Sequence, residues 1–219
     1  MAGLCTLAAS IGFGRIPGLT ACGPTGGAGP ILAFELVRSP ADMLALFGAE
    51  PCTSRLAAAQ RAGLWLDCLG FIPAYTAFLA LGAWAARGAD RRLALAAVAA
   101  LVVAGLSDEV EGVIMFRLLD GFPGDPGLFG PLFWAVHVKF ALLGVGALLI
   151  ALLLWRGGSW LARIAALLAA FGGVVSLALL LTDPRAPLMM EGHRYAWTAL
   201  LIAALAGAVR PALVARRAG

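Results

Sequence analysis

Residues Leu101–Leu119 read LVVAGLSDEVEGVIMFRLL, and the fold turns on how this stretch is read. It is long and oily enough for a transmembrane helix, yet it carries Asp108, Glu109, Glu111 and Arg117. An ionisable group in hydrocarbon costs several kcal/mol unless it is partnered, so such residues are functional candidates by default. Asp108 and Glu111 are spaced i, i+3, which places both on one helix face. Glu109 points about 100° away, toward headgroups or a neighbouring helix.

The rest of the chain agrees with a membrane setting. Of its 219 residues 62% are hydrophobic and 13% charged, with a mean hydropathy of +0.93. Soluble domains have about half apolar and about a quarter charged residues. The expected fold is all-α: a polytopic integral membrane protein built as a bundle of five transmembrane helices. The expected spans are 56–86, 91–119, 129–155, 158–181 and 194–214. The net charge of +4 does not point to nucleic acid, because the arginines lie at helix ends and follow no groove-reading motif.

Three regions follow. Residues 1–14 are a short apolar N-terminal segment, below the ~20 residues a span needs. No basic stretch precedes them, which speaks against a signal peptide. Residues 15–55 are rich in Gly and Pro and form a lid. Within it short helices are expected at 30–37 and 40–48, the second with Ser39 as N-cap, Pro40 at the first helical position and Asp42 in the first turn. Leu19-Thr20-Ala21-Cys22 resembles a lipobox, but Arg15 and Pro17 interrupt the apolar run before it. Residues 56–219 form the five-helix domain. In its first span Pro73 frees a backbone carbonyl and kinks the helix near Asp67. Small residues at Ala147, Ala151, Ala165, Ala169 and Gly173 suit close helix packing.

Arginine placement predicts orientation. Arg87, Arg91, Arg92, Arg156, Arg163, Arg210, Arg216 and Arg217 fall on one side of a five-span arrangement. By the positive-inside rule that side is cytoplasmic. The reading is a bacterial inner-membrane protein with its C-terminus in the cytoplasm and residues 15–55 in the periplasm. That oxidising compartment makes a Cys22–Cys52 disulfide the expected state. Cys5 and Cys68 read as small buried apolar residues. No CxxC pair is present.

Helix rise sets depth. From the outer ends Asp67 lies roughly 9 Å deep, Glu111 roughly 10 Å, Asp108 and Lys139 roughly 15 Å and His137 roughly 12 Å. Three helices therefore place ionisable residues in one outer layer. Acids outnumber bases there, so the surplus takes up protons or holds a cation; the alternative is that Asp67, Asp108 or Glu111 pairs with Lys139 and Arg117 and only locks the helices together. The candidate ligand-binding set is Asp67, Asp108, Glu111, His137, Lys139 and Tyr75, with Tyr75 as a floor. His137 and Lys139 are about 200° apart on their helix, so both do not face one pocket squarely. Lys139 is also placed to snorkel. His193 heads the last span near the outer surface. Trp65, Trp134, Trp155, Trp160 and Trp197 suit aromatic belts.

The leading functional expectation is a carboxylate-rich pocket in the outer half of the bilayer that binds a cation or a lipid-like amphiphile. A second is a lipid-modifying enzyme with Glu111 or Asp108 as general acid/base and His137 assisting. A third is a structural or accessory subunit of a larger membrane complex. Membrane lipids are the expected surroundings, with a membrane-complex partner or a homo-oligomer as candidate assemblies. No motif names a cofactor or metal.

Overall fold

The computed structural model describes the backbone of residues 1–157 and 159–217, and the side chains of residues 1–157 and 159–205. Among these residues every regular element is helical. Helix α1 spans Ala2–Phe13, α2 Pro30–Glu35, α3 Pro40–Phe47 and α4 Cys52–Leu66. A π-helical turn, Asp67–Phe71, joins α4 to α5, Ile72–Ala85. Then come α6, Arg91–Asp120; α7, Phe129–Gly157; α8, Trp160–Thr182; and α9, Pro187–Arg217. Among the described residues four stretches are long and apolar enough to cross a membrane: Cys52–Gly88, Arg91–Asp120, Pro126–Gly157 and Trp160–Thr182. The C-terminal basic residues Arg210, Arg216 and Arg217 fall outside the described side chains.

Helices adjacent in sequence pack side by side from α5 to α9, while α1 lies along α5. Ion pairs tie both ends of the bundle. Arg61 of α4 meets Asp120 of α6 at 2.7 Å, and Arg156 of α7 meets Asp90, the N-cap of α6, at 2.8 Å. Close crossings rely on residues without bulk. A Cβ on Gly172 of α8 would lie 2.2 Å from the Gly192 carbonyl of α9, and Ala147, Ala151, Ala165, Ala169 and Gly173 are buried.

The π-turn has a sequence cause. Pro73 offers no N–H to the preceding turn, and the chain widens just before it. The Ile72 N–H reaches back five residues to the Asp67 carbonyl. The expected kink is thus realised as a widened turn that begins at Asp67 itself.

Residues 15–55 fold over one end of the bundle. The hydroxyl of Ser39 accepts the Asp42 N–H at 3.1 Å, capping α3 as its sequence suggests. Cys22 and Cys52 are joined by a disulfide. Phe34, Met43 and Phe47 are fully buried, and Phe47 packs edge-on against Phe122 of the α6–α7 loop. Gln60 of α4 donates to the Pro30 carbonyl at 2.8 Å. Gly26 adopts φ +67° and lies against Arg185 of the α8–α9 loop.

Two expectations need correction. Cys5 is exposed and Cys68 only half-buried. On α1 it is Gly3 and Thr6 that turn inward, so Cys5 is left on the outer face. Nor does His193 sit at the outer surface. Helix α9 starts at Pro187, so His193 lies almost two turns in, buried against Phe140 and Trp197.

Candidate functional site

Lys139 organises the polar interior. It lies in the first half of α7, in the segment HVKF, with an apolar residue on either side. Its ammonium meets Glu35 Oε2 at 2.9 Å, Asp108 Oδ1 at 3.1 Å and both oxygens of Glu111 at 2.8 and 2.9 Å. The ammonium donates hydrogen bonds to Glu35 and Glu111 and pairs electrostatically with Asp108. All four side chains are at least nine-tenths buried. The ammonium also sits 4.4 Å from the centroid of the Phe140 ring.

Asp108 is held from its other side. The Tyr75 hydroxyl, on α5, donates to Asp108 Oδ2 at 2.7 Å. The two helices approach closely through glycines on α6. A Cβ on Gly105 would fall 2.3 Å from Thr76 Oγ1, and one on Gly112 would fall 2.6 Å from Cys68 Sγ. Gly105 and Gly112 are two turns apart, and Asp108 lies between them. Only with that face bare of side chains does Asp108 come within reach of Tyr75.

The fold therefore brings together Asp108, Glu111, Lys139 and Tyr75 from three helices. Asp67 stays at the margin. It is half-buried on the π-turn, within electrostatic reach of Asp108, Lys139 and Glu35, but it makes no side-chain hydrogen bond among the described residues. His137 is not brought in. Its Nδ1–H donates to the Phe133 carbonyl at 2.8 Å, and its ring stacks on Phe133 at 3.9 Å, turned away from Lys139. The reason is their two-residue spacing on one helix, which puts them on nearly opposite faces. Lys139 does not snorkel, because carboxylates meet it where it stands. Glu109 is half-buried beside Cys68, and Arg117 is exposed at the rim.

Glu35 is the member that sequence reasoning missed. It closes α2, outside the membrane-spanning helices, yet it is 6% exposed and reaches Lys139 across 104 residues of chain. Burial pushes its carboxyl above the ordinary value, and the Lys139 ammonium offsets that only in part. One signal was there to find it. Glu35 is the sole charge in the apolar run ILAFELV, the same anomaly that marks Asp108 and Glu111.

A second buried polar group borders the cluster. His193 is 3% exposed, and neither ring nitrogen meets a hydrogen-bond partner among the described residues. Its ring stacks on Phe140 at 5.7 Å, and Trp197 in turn stacks on Tyr75 at 5.1 Å. Phe140 thus neighbours both the Lys139 ammonium and His193. Chemically, the arrangement is a buried acid-rich knot around one fixed ammonium, with an aromatic wall on one side and the 15–55 segment on top. Comparisons with protein-family models, with curated proteins and with solved structures found no match to this chain.

Proposed function

We propose that this is a bacterial inner-membrane protein of five spans, with α9 as the fifth, that binds a small cation, the proton foremost, in its buried acid cluster. The observation that carries the reading is the imbalance at Lys139. Glu35, Asp108 and Glu111 ligate one ammonium, and Asp67 stands close by. Uncompensated charge in such a place costs several kcal/mol per ion, so the surplus acid is neutralised by protons or by an added cation. The carboxylates converge on Lys139 rather than on a shared open point. Among the described residues no set of three or more His, Cys, Asp or Glu side chains is arranged to hold a metal ion. That favours the proton over a multivalent metal.

Residues 15–55 act as the periplasmic cover of this cluster and lend it Glu35, so cation binding and the seating of the cover are coupled. The orientation rests on the arginines, with Arg87, Arg91, Arg92, Arg156 and Arg163 at the end away from the cover.

The test is charge movement in proteoliposomes adsorbed on a solid-supported membrane. A proton jump is expected to evoke a transient displacement current in the wild type. The current should be lost in Glu111→Gln and reduced in Glu35→Gln, while sodium and potassium jumps give less. A folded wild type that is electrically silent to all three ions would overturn the reading.

A further inference from the structure

At the end of the bundle away from residues 15–55 the described residues leave the packing open on one side. Helix α1 has 12 residues, about 18 Å of rise, against the ~30 Å of a bilayer core. It runs along α5 and reaches Phe78 and Leu201 at Gly3. Beyond that level a cavity of about 760 Å³ lies between α5, α7, α8 and α9. Its walls are apolar and include Phe78, Ile150, Leu154 and Leu200. Its floor is set by small residues. Gly82 lines the cavity, and a Cβ added there meets no atom of the described residues within 4 Å. Such walls offer water no partners, whereas an aliphatic chain fills the space and gains contacts.

The mouth is chemically different. Arg156 and Ser159 line it, and Arg87 and Arg163 adjoin residues that do. Arg156 spends only one Nη on Asp90, and its side chain is half exposed. The remaining guanidinium donors suit a phosphate. Trp84, Trp155 and Trp160 occupy the same end, where interfacial aromatics belong.

We infer that this cavity takes one acyl chain of an anionic phospholipid, with the lipid phosphate on Arg156. Chain and headgroup contribute separately. The chain fills space that the helices leave open, with no hydrophobic gain over bulk lipid, so it binds through contact alone. The headgroup supplies selectivity through basic residues at an anionic surface. The site is independent of the acid cluster.

The test uses nanodiscs of equal phosphatidylglycerol and phosphatidylcholine, followed by native mass spectrometry of the released protein. The wild type is expected to retain one phosphatidylglycerol per chain. Gly82→Leu fills the cavity from a position with room for it, so bound lipid should be lost while the thermal unfolding midpoint holds. Arg156→Gln should keep a bound lipid but lose roughly fivefold of the preference for phosphatidylglycerol, the effect of about one basic residue. Equal retention of both lipids by the wild type would overturn the inference. So would unchanged retention by Gly82→Leu, or a dimer mass showing that a second copy covers the opening.

Discussion

Three carboxylates surround the single Lys139 ammonium, two as hydrogen-bond acceptors and Asp108 as a further ion-pair partner. Removing the ammonium leaves its partners uncompensated. Lys139→Met is therefore expected to destabilise the fold by about 3–5 kcal/mol. Tyr75→Phe deletes one hydrogen bond to a charged group and should cost about 1.5–3 kcal/mol. Chemical unfolding in detergent measures both, and a larger loss for Tyr75→Phe would contradict the primacy of Lys139. Glu35 adds a pH dependence with a definite sign. Its carboxyl is raised by burial from an ordinary value of 4.5. Between that value and the higher folded one, the undocked state has released a proton that the docked state keeps. Stability then falls as pH rises through this window and levels off above it. Seating of residues 30–47 should loosen as pH rises above the ordinary carboxylate value, and Glu35→Gln should flatten the trend. Hydrogen exchange corrected for intrinsic rates reads it directly.

The elements of this protein are positioned by residues that lack something. Pro73 lacks an N–H, and the chain answers with a π-turn at Asp67. Gly105 and Gly112 lack side chains, and α6 closes on α5 far enough for Asp108 to reach Tyr75. Gly105→Ala forces a methyl into Thr76, and overpacking of this kind costs about 1–3 kcal/mol. Adding Thr76→Ala removes the obstructing hydroxyl and should return part of that loss. If the double variant is no better than the single, the close approach is not what Gly105 serves. The disulfide acts on the cover alone. It closes a stretch of 30 residues, and its removal by paired Cys→Ser changes should cost that segment about 3–4 kcal/mol. Faster exchange confined to residues 15–55, with α6 to α8 unchanged, is the expected pattern. Ser39, Pro40 and Asp42 were legible locally, since caps depend on near neighbours, and the Cys22–Cys52 pair followed from placing residues 15–55 in an oxidising compartment.

At the scale of the molecule, the two ends of the bundle are chemically distinct. The covered end gathers acid around Lys139, and the other carries the arginines. A phosphatase reporter fused after the α6–α7 loop should be active in a bacterial host, and one fused after the α7–α8 turn inactive. The reverse pattern would invert the proposed orientation. Much of this was readable beforehand. Hydropathy reports solvent preference residue by residue, so membrane character, helical class and the spans near 91–119, 129–155 and 158–181 follow from the chain itself. Charges inside oily runs stand out for the same reason, which exposed Asp108, Glu111 and Lys139. What periodicity does not carry is the mutual rotation of helices and the return of distant chain. Only tertiary packing set His137 aside against Phe133, buried His193 beside Phe140, and kept Asp67 at the edge. Only tertiary packing brought Glu35 across 104 residues to Lys139, because that contact depends on where a loop folds back and not on any local pattern.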